Sequence, residues 1–440
     1  MSGTELAQRA RSILSAMPLV TELGRVERLT GFIVEGRVRG VRIGSVVQIE
    51  RERDWVAGEV VGFRDDRVLI VPESHTRGIA AGAFIRAASR APTVPVGDGL
   101  LGRIVDAFGQ PLDGGPAIVA EAEAAVHAEP PAVHRRAPVH EALETGVRVI
   151  DGMLTCGRGQ RVGLFAGAGV GKTMLIRQIA SQAQADVVVM GLIGERGIEV
   201  RDLLESPPHP NTVMVVATSD RPPMERVRGA LVATSVAERF RDEGKHVLLV
   251  VDSLTRYAMA LREIGLAAQE PPATKGYPPS VFAKLPQLLE RVGPLVKGGS
   301  ITGFYTVLVE GDDLSDPVAD SARSLLDGHI VLSRELASRG HFPAVDVLAS
   351  ASRVALKVMA KEHRMAASEG RQAIEAVDEV QNLRALGAYT PGKQPELDWR
   401  LRQGQALVEW SRQGPEQRST LSSSVEGLAK ALISAGRRPT

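Results

Sequence analysis

The eight residues Ala166-Gly-Ala-Gly-Val-Gly-Lys-Thr173 limit the fold of this chain more than any other stretch. An apolar run at 161–166 leads into them and a helical pattern at 174–182 leads out, so the loop joins a buried strand to a helix. Glycines let a backbone curl until several N–H groups converge on one anion. The following helix turns its positive N-terminal end on the same point. The backbone of Gly167, Ala168, Gly169, Val170 and Gly171 is therefore expected to cradle phosphates. Lys172 is expected to reach the β- and γ-phosphates, and Thr173 to place its hydroxyl on Mg²⁺. The strict pattern has glycine first, where this chain has Ala166; the other three glycines remain. ATP with Mg²⁺ is the expected ligand.

The surroundings suit such a loop. Residues 98–355 alternate apolar strands with amphipathic helices. Strands are expected at 161–166, 186–193, 212–218, 246–252, 301–309 and 329–333. Helices are expected after Lys172 and at 224–242 and 281–291. That alternation implies a parallel sheet flanked by helices. Residues 20–90 instead show short β-branched runs between glycine and charged turns, at 31–35, 41–49, 55–63 and 67–71, as in a small β-barrel or sandwich. A proline-bearing linker is expected at 90–97. The tail after 356 reads as polar helix broken at Thr390-Pro-Gly392. Apolar residues at 6, 10, 13, 14 and 17 give one helical face near the N-terminus, for packing or docking. The expected divisions are 1–19, 20–92, 93–355 and 356–440.

In an open α/β sheet, ligands sit beyond the carboxyl ends of the strands. Two further strands end there in acids. The 246–252 strand ends in Asp252, the expected Mg²⁺ partner through a bound water, with a turn or N-cap role as the alternative. The 186–193 run leads to Gly194-Glu195-Arg196. Glu195 is the candidate to orient and polarise an attacking water, against a salt bridge to Arg196 or Arg201. Glu199 lies one helical turn on as a supporting acid. Arg256, four residues past Asp252, could approach the phosphates.

Bulk properties exclude other classes. A net charge of +1 points to neither nucleic acid nor an anionic membrane. One cysteine, Cys156, allows no internal disulfide and fits a reducing compartment. The N-terminus lacks a secretory pattern, and no apolar run reaches eighteen residues. A cytoplasmic protein is expected. The chain has 44 Arg against 9 Lys, and Lys172 is the only lysine up to residue 244. Arginine meets the need for charge elsewhere in that stretch, so this position reads as one that needs a compact ammonium.

The motifs together resemble the export ATPases of type III secretion, relatives of the ATP synthase catalytic subunit. The resemblance is carried by Leu101-Gly-Arg-Ile-Val-Asp-Ala-Phe-Gly-Gln-Pro-Leu-Asp-Gly114, Gly157-Arg-Gly-Gln-Arg161, Gly191-Leu-Ile-Gly-Glu-Arg196 and Val216-Ala-Thr-Ser-Asp220. It continues through Asp252-Ser-Leu-Thr-Arg-Tyr257, Lys275-Gly-Tyr-Pro-Pro-Ser-Val-Phe282, Tyr305-Thr-Val-Leu-Val-Glu-Gly-Asp-Asp313, Leu326-Asp-Gly-His-Ile-Val-Leu-Ser333 and Ser352-Arg353. Ala166 also resembles this family rather than the synthase subunit. The likeness runs in order over 20–395. It implies an N-terminal β-barrel, a RecA-like P-loop ATPase core (α/β) and a C-terminal α-helical domain. It also implies a homohexamer with nucleotide at subunit interfaces. By resemblance, Glu195 is the catalytic glutamate and Asp252 the Mg-linked aspartate. Arg353 is an arginine finger for the neighbouring subunit, and Phe342 the aromatic on adenine; locally, Arg353 also reads as a surface cation and Phe342 as core.

Implied partners are a stator protein on the N-terminal helix, a central coiled-coil stalk, chaperone–substrate complexes and the export gate at the inner membrane, with no nucleic acid. Implied location is the cytoplasmic face of that membrane. Segments 216–222 and 40–44 favour the injectisome branch; Ala319-Asp-Ser-Ala-Arg323 looks flagellar. Rivals are a rotary synthase subunit, a hexameric RNA translocase and a non-catalytic regulator. The tail lacks a continuous acidic run for the first. For the second, residues 20–90 hold 12 Arg against 10 acids, and their spaced aromatics Phe32, Trp55, Phe63 and Phe84 read as core.

Overall fold

The computed structural model describes residues 23–88, 91–205, 208–309, 311, 313, 315–436 and 438. The helix expected at 4–17 lies outside them. The chain forms two compact units. One holds the described residues up to Pro92 with 222–225 and 263–271; the other holds 93–221, 226–262 and the residues from 272 on.

The first unit is a closed barrel of β1 (Leu23–Thr30), β2 (Ile33–Arg37), β3 (Val46–Glu50), β4 (Trp55–Arg64), β5 (Arg67–Pro72) and β6 (Phe84–Ala87), ordered β1-β2-β5-β4-β3-β6. Alternate side chains point inward, and Val26, Val34, Val47, Ile49, Val60, Ile70 and Ile85 fill the interior. Closure leaves no open edge. The sequence pattern missed β1 because only Gly24 and Val26 of its eight residues are buried. The strand expected from residue 31 begins two residues later, since Gly31 turns the chain at φ 60°. The run expected at 41–49 shortens to β3. The barrel aromatics correct another expectation. Phe63 is 50% exposed and Trp55 36%, and Arg86 stacks over Trp55 at 4.1 Å.

The second unit is built on an eight-stranded sheet. Its strands are β8 (Ile104–Asp106), β10 (Arg161–Ala166), β11 (Val187–Ile193), β12 (Thr212–Ala217), β13 (His246–Asp252), β14 (Ser300–Leu308), β15 (Gly328–Leu332) and β16 (Val345–Ser352). They run in the order β16-β15-β10-β14-β13-β11-β12-β8. Every neighbouring pair is parallel except β15–β16. The central strands β11 and β13 are buried at every residue, which is why they read as unbroken apolar runs. Short β8 and the antiparallel β16 escaped the pattern. Part of the expected linker is also a strand: β7 (Thr93–Val96) pairs with β9 (Ala122–Ala125) in a ribbon of its own. Its Pro95 is tolerated in a two-stranded ribbon, which has free edges.

The C-terminal helices are Lys361–Ala385, Pro395–Ser411 and Leu421–Ser434. The break at 390–392 holds, and a second follows Ser411. The first two pack closely because Gly404 has no side chain; a Cβ there would sit 2.2 Å from the Ala373 carbonyl oxygen. Among the described residues, no helix is long and apolar enough to cross a membrane.

Candidate active site

β10 ends at Ala166 and the helix Lys172–Gln182 begins after a five-residue loop. Two loop glycines take the left-handed conformation, Gly169 at φ 77° and Gly171 at φ 91°. No side chain caps the helix, and its first turn carries no acid. Its first N–H groups thus form an open, positively polarised end. Ala168, Gly169 and Thr173 are exposed beside it.

The parallel register brings the other candidates to this end of the sheet. β14 lies between β10 and β13, with Ala166 opposite Leu308 and Val251 opposite Tyr305. Asp252 at the end of β13 is 4% exposed and accepts a 2.5 Å hydrogen bond from the Thr306 hydroxyl. Its Oδ1 also takes a short ion pair from Lys172 Nζ. Lys172 Nζ lies 3.6 Å from Glu195 Oε1, so Glu195 pairs with the loop lysine. The N-cap alternative for Asp252 fails: the Ser253 hydroxyl accepts the Arg256 N–H at 3.1 Å and takes that place. Thr173, Glu195, Glu199 and Asp252 line one cleft of about 30 Å³. That holds a water molecule and little more, so a nucleotide would lie outside it, over the loop.

Burial raises the Glu195 carboxyl above the ordinary glutamate value, and nearby Asp252 adds to the rise. Lys172 opposes it, while Glu199 raises it further. Arg256 packs against the turn before Glu195: a Cβ on Gly194 would meet its side chain at 2.9 Å. Its Nε is buried without a hydrogen-bond partner.

Phe342 also reaches the loop. A Cβ on Gly171 would come within 3.2 Å of its ring. The Phe342 carbonyl accepts the Gln413 N–H at 2.9 Å, and His341 bonds the Ser411 hydroxyl at 3.1 Å, so the helical tail holds this loop.

Arg353 is elsewhere. Its N–H bonds the Asp327 carbonyl at 2.9 Å, and Asp327 N–H bonds the Arg161 carbonyl at 2.9 Å. Both contacts lie at the amino end of β10. The phosphate loop is at the carboxyl end, about 15 Å away along the strand, beyond the reach of an arginine side chain. Sequence reasoning missed Thr306 and also Arg334, whose Nη1 donates to the Ala168 carbonyl at 3.3 Å. The signal for Arg334 was its place just past a strand that neighbours β10.

Among the described residues, no cluster of three or more His, Cys, Asp or Glu could hold a metal ion. A divalent ion held by the Thr173 hydroxyl and Asp252 would take its remaining ligands from water and a bound phosphate, as Mg²⁺ does.

Residues 146–352 match the ATP synthase alpha/beta family, nucleotide-binding domain, and residues 359–430 match the T3SS EscN ATPase C-terminal domain. The chain is 45% identical to the flagellum-specific ATP synthase of Salmonella typhimurium, over 94% of each chain. It is 46% identical to the SPI-2 type 3 secretion system ATPase of the same organism, over 90% of this chain and 91% of that one. Among solved structures, the assembled ATPase EscN from the enteropathogenic E. coli type III secretion system superposes with a TM-score of 0.88. The two are 43% identical, and the match covers 93% of this chain and 100% of that one. EscN in complex with its central stalk EscO superposes with a TM-score of 0.84 at 42% identity, over 93% and 100% of the two chains.

Proposed function

The chain belongs to the family of type III secretion and flagellum-specific ATPases and is an ATPase; from that premise we propose that it hydrolyses Mg-ATP in a ring of its own copies to power protein export. The observation that carries the mechanism is the split geometry. Lys172, Thr173, Glu195 and Asp252 meet at one end of the sheet, while Arg353 stands at the other end of β10. One chain thus offers a site at one end of the sheet and the Arg353 guanidinium at the other, an arrangement that suits a centre completed by a second copy.

Lys172 exchanges its carboxylate partners for the β- and γ-phosphates, while the loop N–H groups and the open helix end hold the remaining oxygens. The exposed Thr173 hydroxyl and Asp252 fit a hydrated Mg²⁺ brought by the nucleotide. When bound, that ion neutralises charge growing between the phosphates. Glu195, released from Lys172, orients the attacking water in the small cleft and takes up its proton. Its raised proton affinity suits that task. Phe342 packs on the adenine. Arg256, held against Gly194, supports the Glu195 turn close to the phosphates. Arg353 of the next copy stabilises the transferred phosphoryl group, an effect worth about 10³–10⁵ in rate.

We further propose a division at 92/93 and 355/356 and a hexameric assembly with a stalk protein in its centre, as EscN is found assembled and bound to EscO. A stator protein would dock on the N-terminal segment 1–19. Chaperone–substrate complexes would meet the C-terminal helices, beneath an export gate at the cytoplasmic face of the inner membrane. Identity to the flagellar and injectisome relatives differs by one percentage point, 45% against 46%, so the injectisome reading rests on the local likeness of segments 40–44 and 216–222.

Glu195→Gln tests the enzyme at its centre. ATP binding should persist while turnover and secretion in a cell relying on this chain both fail. Undiminished turnover would overturn the assignment of Glu195.

A further inference from the structure

β10 carries the phosphate loop at one end; at its other end is a fully buried glutamine, Gln160, which precedes the strand. A buried primary amide is costly unless all its hydrogen-bonding groups are used. Gln160 uses them on a specific target. Its Oε1 accepts the Gly157 N–H at 2.8 Å. Its Nε2 donates to the Asp327 carbonyl at 3.1 Å and to the Ser352 hydroxyl at 3.2 Å. The same Asp327 carbonyl accepts the Arg353 N–H. Ser352, the residue before Arg353, in turn donates to the Thr155 carbonyl at 2.9 Å.

The two donor hydrogens of one side chain thus go to the two points that hold the backbone where it enters Arg353. Arg161 secures the same place from the next position. Its guanidinium binds both oxygens of the Asp327 carboxylate, at 2.9 and 3.0 Å, and its main-chain N–H adds a third bond at 3.1 Å. Glu290 then links Arg161 to Arg136. Gly328 leaves room for the amide: a Cβ there would lie 2.8 Å from Gln160 Nε2. The Arg353 guanidinium itself donates to the Arg323 carbonyl at 3.1 Å. Its aim therefore depends on where its backbone is held.

We propose that Gln160, through Asp327 and Ser352, is a positioning residue for Arg353, setting the finger that this chain gives to its neighbour. The inference rests on the reading of Arg353 as that finger. Placement matters in such a site, where a shift of about 1 Å can cost about 10² in rate.

The test uses the assembled full chain and steady-state ATP hydrolysis, with nucleotide affinity measured separately. Gln160→Met keeps bulk and removes the donors; it should lower kcat about 10- to 100-fold with ATP affinity unchanged. Ser352→Ala, a milder change should Gln160→Met fail to fold, should lower kcat about tenfold through the loss of its hydrogen bonds with Gln160 and Thr155. Neither should lower the rate further in an Arg353→Ala background. Equal losses in the two backgrounds would show general damage and overturn the proposal, as would unchanged kcat in both single variants. Wild-type turnover by Arg353→Ala alone would instead remove the finger reading, and the positioning role with it.

Discussion

Gly171→Ala measures how far the phosphate loop depends on its backbone shape. Gly171 sits at φ 91°, where an L-residue costs roughly 1–2 kcal/mol. Its new Cβ would also stand 3.2 and 3.3 Å from two ring carbons of Phe342, close enough that the ring must give way. If the loop relaxes without nucleotide and must recover this shape to bind, the backbone cost alone weakens ATP binding about 5- to 30-fold. The ring contact adds to it. Gly169→Ala separates the two, because its φ is 77° and nothing lies within 4 Å of the added carbon. It should show the backbone cost only. Phe342→Ala itself removes the ring assigned to adenine, so the contact share is read within that background: Gly171→Ala should weaken ATP binding less there than in wild type, by the share the ring contact adds. Titration of each purified variant with ATP provides the affinities. Gly171→Ala binding ATP as tightly as wild type would refute the reasoning.

Two further outcomes follow from buried carboxyls. Glu195 holds its proton above the ordinary glutamate range, so the acid limb of kcat/KM should fall above about pH 4.3 and disappear in Glu195→Gln, leaving a low, flat profile. Asp151 is fully buried, and burial pushes its carboxyl up to about 7 despite hydrogen bonds from Thr145 and Gly146. The native state then binds a proton that the unfolded chain releases from about pH 4 upward, so stability falls as pH rises from about 4 to about 7. Melting temperature against pH should show this decline in wild type and a flatter curve in Asp151→Asn.

Where apolar runs were long and buried on both faces, the sequence showed the strands almost to the residue: β10, β11, β13 and β14 needed nothing but their own side chains. β1 and β16 did not show, because their partners and not their composition make them strands. β1 is mostly exposed, and β16 gains its place by pairing with β15. The aromatics of the barrel misled for a related reason. Packing of Arg25 and Arg86 on Phe84 and Trp55 gives these rings partners at the surface. In the site, Lys172, Thr173, Glu195 and Asp252 were legible because strand ends of one parallel sheet share an edge. Thr306 and Arg334 were not, since neither belongs to a local motif. The distance of Arg353 from its own loop depends on sheet order, which no local pattern encodes.

The central claim is that each active centre is shared between two copies, and mixing two inactive variants tests it directly. Lys172→Ala removes the phosphate ammonium, and Arg353→Ala removes the guanidinium at the far end of β10. In a random equal mixture, about one interface in four joins an intact loop to an intact Arg353. The account predicts that turnover returns to a corresponding fraction of wild type on mixing. A mixture that forms joint assemblies yet stays as inactive as its components would contradict it.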